Sequence, residues 1–221
     1  MITLNTISCS LNMFCGINFD YLFLLLIPFG VVIVINELLD RHSKLPREFH
    51  RKFGHIVSGL TIIGASYHLG FVEMILFSVV LIVGALGTRV LHLASVHKVK
   101  RKSIGTTLFA VVTLLLTLMW FKDNPELLRY GIWLLTIPDA FAALVGSQWG
   151  TYLERFGKSY LGSFTFFICT CVVTLGFIPF ALWPLVLMIA LVLTFMEFFT
   201  VWGLDNLTLP ILGSVMLFFL L

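Results

Sequence analysis

Charge is what this sequence lacks. Only 11% of its 221 residues are Asp, Glu, Lys or Arg, against about 25% in a soluble domain. With 59% hydrophobic residues and a mean hydropathy of +1.05, the shortage excludes a soluble globular protein and leaves an integral membrane protein. Alternation of apolar and polar residues is missing too: the apolar runs are continuous, which excludes an outer-membrane barrel. Cysteine is scarce. Cys9 and Cys15 lie near the N-terminus and Cys169 and Cys171 inside an apolar run. Their spacing makes neither a CxxC redox pair nor a metal knuckle, and they read as small hydrophobes. No basic residue precedes the first apolar stretch, so residues 1–20 make a poor secretory signal. They read instead as an interfacial lead-in to a single transmembrane domain over residues 21–221.

What is there is a series of helix-length apolar runs, which predicts an all-α, polytopic helical bundle of about seven or eight transmembrane helices. The runs place helices at about Tyr21 to Leu38, Gly54 to His68, Phe71 to Gly87, Ser103 to Phe121, Tyr130 to Gln148, Leu161 to Phe180, Leu182 to Val201 and Leu207 to Leu221. Several are shorter than the ~20 residues that cross a bilayer untilted, Gly54 to His68 most notably. Of the 14 Lys and Arg residues, all but Lys122 and Arg129 fall in loops after the first, third and fifth runs. By the positive-inside rule those loops are cytoplasmic and the N-terminus is outside. Basic residues so placed have a topological explanation, so no nucleic-acid partner is expected.

Four polar clusters interrupt this pattern. Arg51, Lys52 and His55 open the second run. They suit phosphate, since Arg presents a fork of donors and Lys a mobile point charge, or they are a basic flank for anionic headgroups. Arg101, Lys102, Ser103, Gly105 and Thr106 open the fourth run, as an anion site on free helix amides or as an ordinary helix cap. The GxxxxGK[ST] spacing of a Walker loop is absent.

Asp139 follows Pro138 in the middle of an apolar stretch, with Ala142, Gly146 and Gly150 after it. The small residues suit close helix packing. An acid within a span is expensive and faces a partner, a cavity or a substrate. Lys158, Ser159, Gly162 and Ser163 offer donors to an anion at the next helix start. Glu197 is a second acid inside an apolar run, followed by Gly203, Asp205, Asn206 and Pro210. Asp205 and Asn206 carry the oxygens that hard cations prefer, and are also ordinary turn residues. Acids within the membrane beside basic Gly/Ser loops suit Mg²⁺ and a nucleoside triphosphate.

Read in order, these clusters resemble the CTP-dependent polyprenol kinase family, which includes phytol kinase, dolichol kinase and yeast-type diacylglycerol kinase. The motifs run from about Arg47 to Pro210: Arg51-Lys52-x-x-His55, Arg101-Lys102-Ser103-x-Gly105-Thr106, Asp139-x-x-Ala142-x-x-x-Gly146-x-x-x-Gly150, Gly157-Lys158-Ser159 with Gly162-Ser163, and Glu197 with Gly203-x-Asp205-Asn206-x-x-x-Pro210. The resemblance implies transfer of the γ-phosphate of CTP, with Mg²⁺, to the hydroxyl of a membrane isoprenoid alcohol.

It implies catalytic roles for Asp139, His55 and Glu197, and metal ligation by Asp139, Glu197, Asp205 and Asn206. It implies nucleotide contacts from Arg51, Lys52, Arg101, Lys102, Ser103, Gly105, Thr106, Lys158, Ser159, Gly162 and Ser163. One position departs from the family, which usually has Glu before the Gly-Ser pair where this chain has Leu161. Two other readings remain open: an enzyme like CTP:phosphatidate cytidylyltransferase, and a non-catalytic transporter or scaffold derived from the family.

Overall fold

The computed structural model describes residues 24–31, 34–35, 47–90, 105–153 and 158–220. Residues 24–31 are helical. Eight further α-helices follow among the described residues: α1 Arg47–His68, α2 Phe71–Val90, α3 Gly105–Leu116, α4 Pro125–Thr136, α5 Pro138–Trp149, α6 Tyr160–Leu175, α7 Trp183–Phe199 and α8 Asp205–Phe218. A π-helical turn, Thr117–Phe121, continues α3, and a 3₁₀ turn, Phe180–Leu182, leads into α7. Among the described residues three helical stretches are long and apolar enough to cross a membrane: Phe71–Thr88, Pro125–Trp149 and Phe180–Phe199. Helices α3, α6 and α8, of 12–16 residues, are apolar but shorter.

Three boundaries differ from the sequence expectation, each for a physical reason. Helix α1 begins at Arg47 rather than Gly54, so Arg51 and Lys52 lie within it. Charged side chains end an apolar run without ending a helix, and nothing from Arg47 to Phe53 breaks one. The run expected from Tyr130 to Gln148 is two helices, parted at Ile137. Pro138 has no N–H to donate to the preceding turn, yet its fixed φ suits the first position of the next helix. Helix α6 stops at Leu175, ahead of Gly176 and Pro179, instead of reaching Phe180. The all-α expectation meets one small addition: β1 (Tyr152–Leu153) pairs antiparallel with β2 (Lys158–Ser159), between α5 and α6.

Helix α4 is the centre of the bundle. Leu127, Leu128, Tyr130, Ile132, Leu134 and Leu135 are all buried, which covers every side of the helix. It packs on α1 and α8, with α3 and α6 also against it. A helix apolar all round belongs in an interior. Arg129, grouped by the sequence with the loop, instead lies inside α4. It donates from Nε to Ser66 Oγ at 2.8 Å and from Nη2 to the Ser66 carbonyl at 2.9 Å. Its guanidinium also pairs with Glu126 and lies over the Tyr67 ring. That tie fixes the C-terminal end of α1 to the start of α4, and the two helices run antiparallel from there.

Small residues set the spacing around α4. A Cβ on Gly131 would stand 2.8 Å from Leu116 Cδ1 and 3.0 Å from the Pro210 carbonyl oxygen. Because the second neighbour is backbone, it yields poorly. Gly131→Ala is therefore expected to lower stability by about 1–3 kcal/mol through overpacking, measured as a lower thermal midpoint in detergent.

Candidate functional site

Four polar motifs that are far apart in sequence meet at the end of the bundle where α5 passes through the β1–β2 hairpin into α6. The break at Ile137 puts Asp139 in the first turn of α5. The free amides and the positive end of the helix dipole there favour a carboxylate. Because α1 runs antiparallel to α4 and α5, its sixth residue, Lys52, arrives beside Asp139. Lys52 Nζ lies 2.5 Å from Asp139 Oδ2, with the two side chains only 2% and 4% exposed. Lys52 and Asp139 are thus a buried ion pair, 87 residues apart.

A second charged centre adjoins the first. Lys158, on β2, pairs with Glu197 of α7 and with Asp205 Oδ2 at 2.9 Å, in the first turn of α8. Ser163 of α6 donates to the other Glu197 oxygen at 3.1 Å. The two centres feel each other, since Asp139 and Lys158 interact electrostatically and Arg51 bears on Asp139 as well. Burial pulls the Lys158 ammonium down, but Asp205, Glu197 and Asp139 together outweigh it and hold its pKa above the ordinary value.

The hairpin is held by close packing of α5 on α6. Ser159 caps α6, its Oγ accepting from the Gly162 N–H at 3.1 Å. A Cβ on Gly146 would come within 2.7 Å of that Oγ, and one on Gly162 within 2.9 Å of the Ala142 carbonyl oxygen. The small-residue stripe is therefore the seam that brings Lys158 to the acids. Ser159 and Gly162 are parts of this seam, and Ser163 reaches Glu197. Leu161, at the position where the family usually has Glu, is 41% exposed. The turn before α8 is tight, with Trp202 at φ 60° and Gly203 at φ 84°. Gly takes that conformation freely, whereas Trp is strained in it.

Asn206 follows Asp205, and its backbone N–H donates to Asp205 Oδ1 at 3.0 Å. Its side chain is buried, and neither amide atom has a hydrogen-bond partner. Among the described residues, no group of three or more His, Cys, Asp and Glu side chains is placed to hold a metal. The donors present do fit Mg²⁺, because Glu197, Asp205 and the unpartnered Asn206 amide are hard oxygen ligands. Mg²⁺ commonly takes one or two carboxylates and completes its shell with water and phosphate.

His55 lies one turn beyond Lys52 on α1, with its ring 5.0 Å from that of Phe109 on α3. That contact brings the start of α3, Gly105 and Thr106, to the same end of the bundle. Phe109 was not singled out from the sequence; its position one turn after Gly105 was the available signal. Arg101, Lys102 and Ser103 lie outside the described residues. Among the described residues Asp139 shares no ion-pair partner with Glu197 and Asp205, while Lys158 acts electrostatically on all three acids.

Comparison with known proteins finds a curated relative. Phytol kinase of Synechocystis sp. (strain ATCC 27184 / PCC 6803 / Kazusa) is 32% identical over 200 residues, covering 85% of this chain and 85% of that protein. No protein-family model and no solved structure matches the chain.

Two predictions follow from the geometry. Removing one partner of a buried pair strands the other charge, so Lys52→Met is expected to cost about 3–5 kcal/mol. Adding Asp139→Leu should recover most of that loss, which a double-mutant cycle of thermal midpoints would measure. A raised lysine pKa stabilises below the ordinary value of 10.5 and is lost only as pH passes the raised one. The thermal midpoint should thus show no loss from Lys158 between pH 7 and pH 9, and a fall there that disappears in Lys158→Met would contradict the assignment.

Proposed function

The chain belongs to the CTP-dependent polyprenol kinase family, and on that premise we propose that it transfers the γ-phosphate of CTP to the hydroxyl of an isoprenoid alcohol such as phytol, geranylgeraniol, farnesol or a polyprenol. The observation that carries this reading is the convergence of Lys52, Asp139, Lys158, Ser163, Glu197 and Asp205 from six elements of an apolar bundle. A structural bundle has no need of two adjoining buried charge centres, and phosphoryl transfer needs charge of both signs held in place.

In the proposed reaction, Arg51, Lys158 and the start of α3 hold the phosphates, with Arg101, Lys102 and Ser103 contributing from the segment before it. Glu197, Asp205 and Asn206 would hold Mg²⁺, which would supply positive charge to offset that of the phosphates. Lys52 and the first-turn amides of α5 keep Asp139 ionised at a depth where a carboxylate would otherwise be costly. Asp139 accepts the proton of the lipid hydroxyl as it attacks the γ-phosphorus in line, while the bond from that phosphorus to the β,γ-bridging oxygen breaks and CDP leaves. His55 orients the nucleotide from the next turn of α1. The alcohol arrives from the bilayer with its tail still in lipid, so the enzyme needs to extract only the headgroup. The basic loops support a cytoplasmic active site, on the side where nucleotide is available.

Purified protein in detergent, given Mg²⁺, radiolabelled CTP and a panel of prenols, tests this. Label from [γ-³²P]CTP is expected in a prenyl phosphate, and none from [α-³²P]CTP. Label from the α position alone would make the protein a cytidylyltransferase. No turnover, together with unchanged stability on adding CTP, would favour a transporter or scaffold. Asp139→Asn should lower kcat by about 100-fold or more, as loss of a general base does, and retention of full activity would remove Asp139 from the mechanism.

A further inference from the structure

Lys158 places one positive charge between two carboxylates. Oxygens of Glu197 and Asp205 are both within hydrogen-bond reach of its Nζ, so they are close enough together to ligate one small cation at that point. An ammonium there leaves the three groups with a net negative charge. Asn206, the residue after Asp205 and 1% exposed, has a side-chain amide with no partner on either atom. A buried amide left unpaired calls for an explanation, and a missing ligand is one. Asp139, the other acid among the described residues that acts on Lys158, is already taken by Lys52.

The geometry points to Lys158 as a resident counter-cation: it occupies the place between Glu197 and Asp205 that a divalent ion takes, and yields it only to an ion that arrives with a polyphosphate. This rests on the kinase reading above. The ammonium is a compact charge on a flexible four-carbon stem, so it can turn from carboxylate to phosphate without moving the backbone. That exchange is balanced. The ion brings two charges to two carboxylates, and the displaced ammonium finds the phosphates that came with it. An ion arriving alone must push the ammonium off its partners with no anion to receive it, in a setting where solvent screens little. The site therefore takes up metal and nucleotide together and disfavours free metal.

Binding of Mn²⁺ alone to the purified full chain in detergent, followed by electron paramagnetic resonance, tests this without relying on activity. Free wild-type protein should bind Mn²⁺ weakly. Lys158→Gln should bind it about tenfold tighter or more, since a neighbouring positive charge is gone, and Lys158→Gln with Asp205→Asn should lose that gain. Equal binding by wild type and Lys158→Gln would overturn the proposal, as would a gain that survives Asp205→Asn.

If the Gln variant does not fold, the wild type decides by itself. A non-hydrolysable CTP analogue should strengthen Mn²⁺ binding about tenfold or more beyond the analogue's own affinity for the ion, and no strengthening would overturn the proposal. Tight Mn²⁺ binding by free wild type, alongside γ-label transfer, would reject the counter-cation role and leave the kinase reading intact. Absence of γ-label transfer bears on the kinase reading alone.

Discussion

The ion pair between Lys52 and Asp139 joins the first half of the bundle to the second. It works because three local facts coincide. Pro138 breaks the helix, so that Asp139 stands in the first turn of α5; α1 continues seven residues before its apolar run; and the Arg129 tie at the far end sets the two helices antiparallel and in register. Removing the break would leave Asp139 in mid-helix without amides, and starting α1 at Gly54 would leave Lys52 outside it. Buried pairs are seldom a source of net stability. Keeping this one makes better sense as a way of holding an ionised acid at a fixed depth.

Lys158 solves a different problem. Its hairpin lies outside the apolar helices, where a two-residue ladder and the Ser159 cap hold it against α5. It therefore reaches the ends of α7 and α8 from the side rather than along a helix axis. The two centres differ in construction as a result. One is clamped between helices, and the other hangs from a lysine stem that can move.

Much of this was legible in the sequence, and the failures share a cause. The spans, the small-residue seam and the acids inside apolar runs all show in local pattern, because burial in lipid or against a neighbouring helix imposes composition directly. Pairing leaves no such mark. Nothing around Lys52 or Asp139 says that they are partners, and the sequence around Lys158 offers donors to an anion without showing that Glu197 and Asp205 lie against it. The early start of α1 was hidden because hydropathy reports where a membrane ends, whereas helix propensity decides where a helix ends. Leu161 stands where the family usually has an acid, and its side chain is partly exposed.

Helix α4 has apolar residues on every side and neighbours on every side. Among the described residues it is enclosed by other helices, and it carries directly into the acid at the start of α5. The exposed apolar faces of α2, α6 and α7 can then vary without disturbing the axle on which the charged centres are mounted. Two descendants of this fold could differ widely on those faces and still be identical along α4.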